Sequence, residues 1–314
     1  MDRFYDNFNL WLPSPLQKIN FSNNKGISVF VKRDDLIHHD ISGNKFRKLK
    51  YNIKEFYRQN KKQIIAFGGA FSNLLYTLSL MCRQMNIPAI FYIRGDGFDN
   101  NNPTLRYIKS NGVKMVFMSR TAFRNIRNSE FLEKLQLQYP DAYIIPEGGS
   151  NSFAVPGSAE ILDEILEQMN EVPDYIVMDL GTGGTFAGVL SKIPENIKLI
   201  GISAIKGVDW YNTLKKIYDG EDKLLKKQNW DIIEDYHFGG FARFDDALID
   251  FINNYKSKYG ILLEPVYSGK MVFGIHELIN KDYFEKGSKL VWIHGGGLQG
   301  IYGFNYLHGE RIWL

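Results

Sequence analysis

Short apolar runs alternate along the chain with segments in which apolar residues recur every three to four positions. Short apolar runs are typical of buried strands, and the longer period is typical of amphipathic helices. The runs predict strands at 27–32, 63–67, 89–94, 114–118, 143–146, 174–180, 198–203 and 290–293. Helical spacing is clearest over 45–59 and 158–169. Strands that alternate with helices predict an α/β fold with parallel sheets flanked by helices.

The length of 314 residues exceeds the roughly 100–200 residues of a usual single domain. We therefore expect two lobes that share one site, and the lack of a flexible linker or a repeat suggests that they interleave along the chain. The charged segment 209–235 is also predicted to be helical, although it carries no recognisable chemical signature.

The charge balance gives little sign of a nucleic-acid partner, because the net charge of +3 comes from 38 basic and 35 acidic residues. No apolar run approaches the roughly 20 residues needed to cross a bilayer, and the first six residues lack the apolar core of a signal peptide. The single cysteine, Cys82, is expected to be an inert thiol on a buried helix face. We therefore expect a cytoplasmic protein without a membrane or nucleic-acid partner.

A glycine-rich stretch, the GTGGT loop (181–185), lies between the predicted strand at 174–180 and a helix. Glycines let backbone N–H groups approach an anion, and a helix N-terminus adds about half a positive charge. The loop is neither a Walker A motif nor a dinucleotide-binding loop, because the spacing differs from both. The sequence alone is equally compatible with a small phosphate-bearing ligand and with a tight strand-to-helix turn.

Lys45 follows a Ser-Gly-Asn turn (42–44) at the start of a predicted helix. Such a bend could turn the side chain inward, and a lysine kept partly desolvated near cations has a lowered pKa and can attack an aldehyde. For Lys45 taken alone, an ordinary surface lysine is the better explanation. We expect solvated side chains for the basic residues that follow it, namely Arg47, Lys48 and Lys50.

Three other motifs each allow a catalytic and a structural explanation. In the turn at 68–73, Ser72 could relay a proton or bind a carboxylate, or it could simply cap a helix. Tyr267 and Ser268 place a phenol beside a hydroxyl, in what could also be a turn after a proline. His294 precedes a run of glycines and is expected to be a packed strand-end residue rather than a catalytic base.

Two other chemistries are disfavoured. His38 and His39 lie among acids, but adjacent histidines point in different directions and no third ligand appears at a helical spacing, so we expect a solvated loop and no metal site. The Gly-x-Ser-x-Gly motif of serine hydrolases is absent, and Cys82 has no suitable histidine context.

Seven motifs between residues 32 and 300 together resemble a known family. The matching stretches are KRDD (32–35), GNKxRKL (43–49), GGxxSN (68–73), EGGSN (147–151), GTGGT (181–185), PVYxGK (265–270) and HxGGxxG (294–300). In this order they resemble the pyridoxal phosphate (PLP)-dependent enzymes of the tryptophan synthase β-like fold. Within that fold they resemble the group that contains D-cysteine desulfhydrase and 1-aminocyclopropane-1-carboxylate (ACC) deaminase. Each motif alone is a weak signal, whereas seven in order are strong.

The resemblance implies a large PLP-binding domain (1–48 and 155–314) with a small domain (49–154) inserted in it. It also implies pyridoxal 5'-phosphate as the cofactor, a small amino acid as the substrate and a homodimer. Lys45 would form the Schiff base and move the Cα proton, Ser72 would bind the substrate carboxylate or assist proton transfer, and Tyr267 would lie beside the substrate. The other implied cofactor contacts are Asn73 at the phenolic oxygen, Ser268 at the pyridine nitrogen and, at the phosphate, Gly181, Thr182, Gly183, Gly184 and Thr185.

Several positions depart from the pattern of the group. Phe71 and Leu74 stand where it usually has glutamine and histidine, which makes that wall of the pocket more apolar. Ser268 stands where ACC deaminases carry glutamate, and Phe241 replaces a second tyrosine typical of them. A neutral partner makes the pyridine ring a weaker electron sink, and opening a cyclopropane ring is the more demanding reaction. The departures therefore favour α,β-elimination.

D-Cysteine, converted to pyruvate, hydrogen sulfide and ammonia, is thus the leading prediction for the substrate. ACC deamination to 2-oxobutanoate and ammonia is the first alternative, and another PLP lyase or racemase is a related one. A protein that binds PLP or an amino acid without turnover is the alternative from a different class. The handedness of the substrate depends on the shape of the pocket, which the sequence leaves open.

Overall fold

Two sheets organise the computed structural model of the chain, which describes residues 8–21, 23–41 and 43–314. The strands are, in chain order, β1 (Leu16–Ile19), β2 (Ser28–Lys32), β3 (Gln63–Gly69), β4 (Ala89–Arg94), β5 (Lys114–Met118), β6 (Ala142–Ile145), β7 (Tyr175–Leu180), β8 (Lys198–Ser203), β9 (Trp230–Ile233) and β10 (Lys289–Ile293). The α-helices are α1 (Gly43–Arg58), α2 (Asn73–Gln84), α3 (Pro103–Ser110), α4 (Arg120–Arg124), α5 (Ser129–Gln138), α6 (Ala154–Gln168), α7 (Gly184–Lys192), α8 (Trp210–Ile217), α9 (Asp246–Tyr259), α10 (Ser268–Asn280) and α11 (Gly300–His308).

The larger sheet has six strands in the order β1-β2-β10-β7-β8-β9, and the smaller sheet has four in the order β5-β4-β3-β6. Apart from the antiparallel pair β1 and β2, neighbouring strands run parallel. Parallel strands are covered by helices on both faces, which explains why most of them are nearly continuous apolar runs in the sequence. The predicted α/β fold with parallel sheets flanked by helices is confirmed.

Helix α1 lies at the junction of the two sheets. It packs against α2, which lies beside the smaller sheet, and against α6 and α7, which lie beside the larger one. Its contact with α6 depends on Gly157, because a Cβ at that position would collide with the backbone carbonyl of Arg47. Parallel strands carry their functional loops at their carboxyl ends. Helix α1 is therefore held next to the loops that leave both sheets.

The strands of the smaller sheet all come from one continuous stretch, 63–145, whereas those of the larger sheet come from both sides of it. The domain boundaries implied by the family resemblance stay a prediction, and α1 runs across the first of them. Within the described residues, none of the helices combines the length and apolar character needed to span a membrane.

The segment 209–235 corrects one expectation. It begins with α8 and a short 3-10 helix at 223–226, as the helical pattern predicts, but it ends in strand β9. Among the strands of the described residues, β9 lies at the edge of the larger sheet and pairs with β8, and its four residues are half-buried. The charged residues around an edge strand obscured its short apolar run. Strand β1 was likewise not predicted.

Two local expectations agree with the structure. Cys82 lies in α2 and is 2% exposed, and burial raises the pKa of its thiol to about 12, so it is inert at neutral pH. The side chain of His39 is exposed, whereas Nδ1 of His38 accepts the backbone N–H groups of Asp40 (2.9 Å) and Ile41 (3.0 Å). The histidines thus belong to a turn on the surface.

Candidate active site

The GTGGT loop connects β7 to α7 and approaches its neighbours too closely for larger residues. Gly183 is the N-cap of α7 and has a φ of 80°, in the left-handed region that favours glycine. A Cβ on Gly181 would lie 2.6 Å from Cε1 of Tyr267, and one on Gly184 would lie 2.5 Å from Oγ of Ser150. The glycines thus keep Cβ atoms away from the backbone N–H groups at this helix N-terminus, which makes the loop a suitable cradle for a phosphate.

Lys48 points into this cradle, which shows that the expectation of a solvated side chain was wrong. It is 2% exposed, and its Nζ donates to the carbonyl oxygen of Gly148 (2.5 Å), to Oγ of Ser150 (3.2 Å) and to Oγ1 of Thr182 (3.4 Å). Burial, followed by the nearby charge of Lys45, holds the pKa of Lys48 well below its ordinary value. An anion at the loop would restore that charge, so Lys48 is a residue that could bind a phosphate.

The expectation was also wrong for Arg47, which is fully buried, whereas Lys50 is half-buried and pairs with Glu160 (2.7 Å). One signal in the sequence could have identified Lys48. It lies three residues after Lys45 in a predicted helix, and residues at that spacing share one face.

Lys45 lies in the first turn of α1 and is half-buried. Its Nζ donates to Oδ1 of Asn44 (3.0 Å), while the backbone N–H of Asn44 donates to the carbonyl oxygen of Gly295 (3.0 Å). Burial lowers the pKa of Lys45, and the charges of Asp179 and Glu264 offset part of that effect. More of its amine is therefore neutral and nucleophilic than for a surface lysine. Ser42, part of the predicted turn, lies outside the described residues.

Two acids near Lys45, the half-buried Asp179 and the buried Glu264, were missed at the sequence level. Asp179 precedes the GTGGT loop by two residues, and burial raises its pKa against the opposing charges of Lys45 and Lys48. An acid near the end of an otherwise apolar strand was the available signal. Glu264 is 2% exposed, and burial raises its pKa although backbone N–H groups donate to its carboxylate.

Glu264 shapes the turn that carries Tyr267 and Ser268. Its carboxylate accepts the backbone N–H groups of Val266 (2.8 Å), Tyr267 (2.7 Å) and Ser268 (2.6 Å). The ring of Tyr267 packs on Gly181, and burial together with the charge of Glu264 raises the pKa of the phenol, which therefore stays protonated. Ser268 begins α10, and its Oγ accepts the backbone N–H of Glu264 (2.9 Å).

Ser72 and Asn73 lie where the turns after β3 and β10 meet. Ser72 is the N-cap of α2, because its Oγ accepts the N–H of Leu75 (3.3 Å), so the structural explanation of this serine holds. Oδ1 of Asn73 accepts from Nε2 of Gln299 (2.8 Å), and a Cβ on Gly297 would lie 2.6 Å from Nδ2 of Asn73. These contacts bring the smaller sheet's turn against the larger sheet's turn.

His294 is fully buried between backbone groups. Because Nδ1 accepts the N–H of Gly296 (3.2 Å), Nε2 carries the proton and donates to the carbonyl oxygen of Leu262 (2.8 Å). Neither ring nitrogen is left for catalysis, as expected of a packed strand-end residue.

The three apolar residues that depart from the family pattern differ in their exposure to solvent. Phe71 packs against Gly303 of α11, and Leu74 is buried in the core beside Gly149. Phe241 is 49% exposed, and its ring stands edge-on to that of Tyr267 with the centroids 6.1 Å apart. Phe241 thus lies at the outer edge of the candidate site.

The geometry suits a small aldehyde that carries a phosphate. A desolvated amine lies on α1, and one turn further along the same helix a second lysine reaches a glycine-rich cradle. Side chains at Gly181 or Gly184 would collide with Tyr267 or Ser150, and the half-buried ring of Tyr267 closes one side of the cradle.

Comparisons with known proteins agree with this chemistry. A family model described as pyridoxal-phosphate dependent enzyme matches residues 8–296. A putative ACC deaminase of Pyrococcus horikoshii is 30% identical, with 95% of this chain and 92% of that protein covered. A mitochondrial bifunctional D-cysteine desulfhydrase/ACC deaminase of Arabidopsis thaliana is 30% identical, with 93% and 78% covered. The crystal structure of an ACC deaminase homologue superimposes with a TM-score of 0.81 at 27% identity, with 98% and 99% covered.

Proposed function

The chain belongs to the pyridoxal-phosphate dependent enzymes, and from this premise we propose that it is a lyase that eliminates a β-substituent from a small amino acid, with D-cysteine as the first candidate. One observation carries the proposal. Lys48 joins the Gly148–Ser150 turn to Thr182, one helical turn away from the desolvated Lys45. A reactive amine and a second amine that reaches the anion cradle are thus fixed to one helix.

The residues present fit PLP. Lys45 would hold its aldehyde carbon, and the phosphate would be bound by the backbone of the GTGGT loop and by Lys48. We also assign Asn73 and Ser268 to the cofactor ring, as the family resemblance implies. When bound, PLP supplies an electron-withdrawing ring that stabilises negative charge at the substrate Cα.

The protein's own groups would bind the substrate and move its protons. The amine of Lys45 would take the Cα proton of the bound substrate at Nζ, and its lowered pKa makes it an available base near neutral pH. Backbone N–H groups at the start of α2, next to Ser72, would bind the substrate carboxylate. Tyr267 would donate a hydrogen bond beside the reacting atoms, because its phenol stays protonated.

Ser268 favours elimination over ring opening. Its neutral hydroxyl cannot keep a pyridine nitrogen protonated as a glutamate would, which suits the less demanding departure of a thiol. With D-cysteine, the Cα–H and Cβ–S bonds would break, and addition of water would give pyruvate, hydrogen sulfide and ammonia. ACC deamination is the second candidate, because relatives with that name cover nearly the whole chain.

A visible spectrum and two parallel assays test the proposal. The purified protein should absorb visible light through bound PLP and release pyruvate from D-cysteine faster than 2-oxobutanoate from ACC. Lys45→Ala should lose both the absorbance and the turnover, whereas the matched Lys62→Ala, at an exposed lysine, should keep both. Faster release of 2-oxobutanoate would favour the second candidate. Bound PLP without a product from any amino acid would favour a binding protein.

We further propose a homodimer in the cytoplasm, as the family resemblance implies. Sedimentation equilibrium of the full chain should give twice the mass of one 36.3 kDa chain. A mass of one chain would contradict the dimer.

A further inference from the structure

A cavity of about 440 Å³ is lined by three arginines and two aromatic residues, Arg94, Arg120, Phe123, Arg124 and Phe241. All three arginines are exposed, and within the described part of the chain none of them forms an ion pair with a carboxylate. Three neighbouring guanidinium groups repel one another when no anion lies between them. We call this feature the arginine cavity.

The topology of the smaller sheet brings the arginines together. Arg94 ends β4 and pairs in register with Met118, which ends β5. The chain then turns through the cap residue Ser119 into α4. Arg120 and Arg124 stand four residues apart on that helix and so share one face. The cavity is therefore formed at the carboxyl ends of two adjacent strands, where parallel sheets bind ligands.

The arginine cavity borders the candidate active site on two sides. Nη2 of Arg94 would lie 3.5 Å from a Cβ on Gly69, whose carbonyl oxygen accepts the backbone N–H of Ser72 (3.0 Å). On the other side, Phe241 stands edge-on to Tyr267 at 6.1 Å. A substrate held near Ser72 and Tyr267 would thus lie next to the arginine cavity.

The chemistry of the cavity favours an oxyanion. A guanidinium group offers N–H donors in a planar fork that matches carboxylate and phosphate oxygens. Beneath the arginines, Phe123 is 4% exposed, and the guanidinium of Arg94 lies 5.6 Å from the centre of its ring. The aromatic floor excludes water from one side and strengthens charge interactions above it.

We propose that the arginine cavity binds an anionic group at the end of the substrate's side chain. The preferred substrates would then be amino acids whose β-substituent carries a carboxylate or a phosphate. This inference rests on the proposed function. With S-carboxymethyl-D-cysteine, the Cα proton would pass to Lys45 and the Cβ–S bond would break with its electron pair on sulfur. Addition of one water would give pyruvate, ammonia and mercaptoacetate, without any oxidant or reductant.

A pair of isosteric substrates tests the inference. S-Carboxymethyl-cysteine and S-carbamoylmethyl-cysteine differ in one charge, and both enantiomers of each would be assayed for pyruvate release. The charged substrate should have a kcat/KM about tenfold higher, because charged hydrogen bonds to guanidinium groups form with it alone. The double variant Arg120→Gln/Arg124→Gln should abolish that preference and leave D-cysteine turnover unchanged. Arg106→Gln, at an exposed arginine of α3 outside the cavity, is the matched control.

Binding without turnover separates this inference from the proposed function. In calorimetric titrations of the PLP-loaded protein, glutarate should bind about tenfold more tightly than its half-amide 4-carbamoylbutanoate, and the double variant should bind both equally. If no substrate yields pyruvate, the proposed function fails while this titration still decides on the cavity. Equal binding of the two compounds by the unaltered protein would overturn the inference. A double variant that slowed D-cysteine as much as the carboxymethyl substrate would also overturn it, because the arginines would then recognise a group common to all substrates.

Discussion

Individual lysines show how far the surroundings determine the chemistry of one residue type. Lys62 is exposed, whereas Lys45, Lys48 and Lys270 all have lowered pKa values because burial disfavours their charge. The buried lysines differ in the groups that take the place of water around their amines. Lys48 reaches a cradle for an anion, and Lys270 holds two backbone carbonyls of the loop that precedes Phe241.

Lys48→Met should weaken PLP binding. The variant loses a cation at the GTGGT loop, so the dissociation constant should rise by about tenfold or more, as expected for a hydrogen bond to a charged group. Titration of the stripped protein with PLP, followed by visible absorbance, measures the constant. The exposed Lys62→Met serves as the control, and an unchanged constant in Lys48→Met would refute a role at the phosphate.

Lys270 should make stability depend on pH in the alkaline range. Its Nζ donates to the carbonyl oxygens of His237 (2.9 Å) and Gly240 (2.8 Å), and burial lowers its pKa to about 8, against 10.5 for an ordinary lysine. The folded state thus binds fewer protons than the unfolded state between these values, so stability rises with pH there. The neutral amine still has two N–H donors for the two carbonyls.

The comparison of the unaltered protein with Lys270→Met isolates this contribution. The urea unfolding midpoints of both proteins would be measured at pH values from about 7.5 to 10. The midpoint of the unaltered protein should rise relative to that of the variant as the pH increases. A constant difference between the two proteins across this range would show that Lys270 titrates at its ordinary pKa.

At the scale of elements, α1 is fixed by a buried group of charges on the side away from the candidate site. Arg47 donates to both carboxylate oxygens of Asp34 (2.6 and 2.8 Å) and to both of Glu164 on α6 (2.8 and 2.9 Å). Glu164 also pairs with Lys32 of β2 (2.7 Å). Burial alone would raise the pKa of Glu164, but the hydrogen bonds from Arg47 and Lys32 outweigh it and lower that pKa. The ion pairs join α1 to β2 and α6.

Arg47→Met should destabilise the protein strongly. It removes the guanidinium that pairs with the fully buried Asp34 and leaves Glu164 paired with Lys32, which costs roughly 3–5 kcal/mol. On the same helix, the exposed Arg58 pairs with Glu55, and Arg58→Met should cost only about 1 kcal/mol, because Gln59 still donates to that carboxylate (2.7 Å). Urea unfolding of both variants measures the difference. Equal midpoints would mean that solvent reaches Asp34 and Glu164 freely.

The sequence predicted the helices and strands better than it predicted which charged side chains are buried. Strand β7 was clear because a parallel strand covered on both faces needs apolar residues throughout, whereas β9, at the edge, needs few. Lys45 was identified through the motifs of a family. Lys48 was not, because its burial depends on Gly148 and Ser150, about a hundred positions further along the chain. The three-residue spacing from Lys45 indicates only a shared helix face and does not report a contact with residues so distant in the sequence.

For the whole molecule, the candidate site lies where the two sheets meet. Lys48 comes from α1, Ser150 follows the smaller sheet, and Thr182 follows a strand of the larger sheet. A ligand bound among them would hold the two sheets together.

Removal of PLP should therefore lower the melting temperature of the whole chain. A ligand at a hundred times its dissociation constant stabilises the folded state by about 2.7 kcal/mol. Calorimetric melts of stripped and PLP-saturated protein measure the change, and pyridoxal without its phosphate should raise the melting temperature less. Equal effects of the two compounds would place the phosphate outside the protein's contacts.

The strand order also has a consequence for how the chain folds as it is synthesised. Residues 63–145 supply the whole smaller sheet, so it can assemble while the ribosome is still translating the second half of the message. The larger sheet has to wait, because its central strand β10 (Lys289–Ile293) emerges last and inserts between β2 and β7. Until then β2 and β7 each expose an unpaired edge, to which strands of other chains could add.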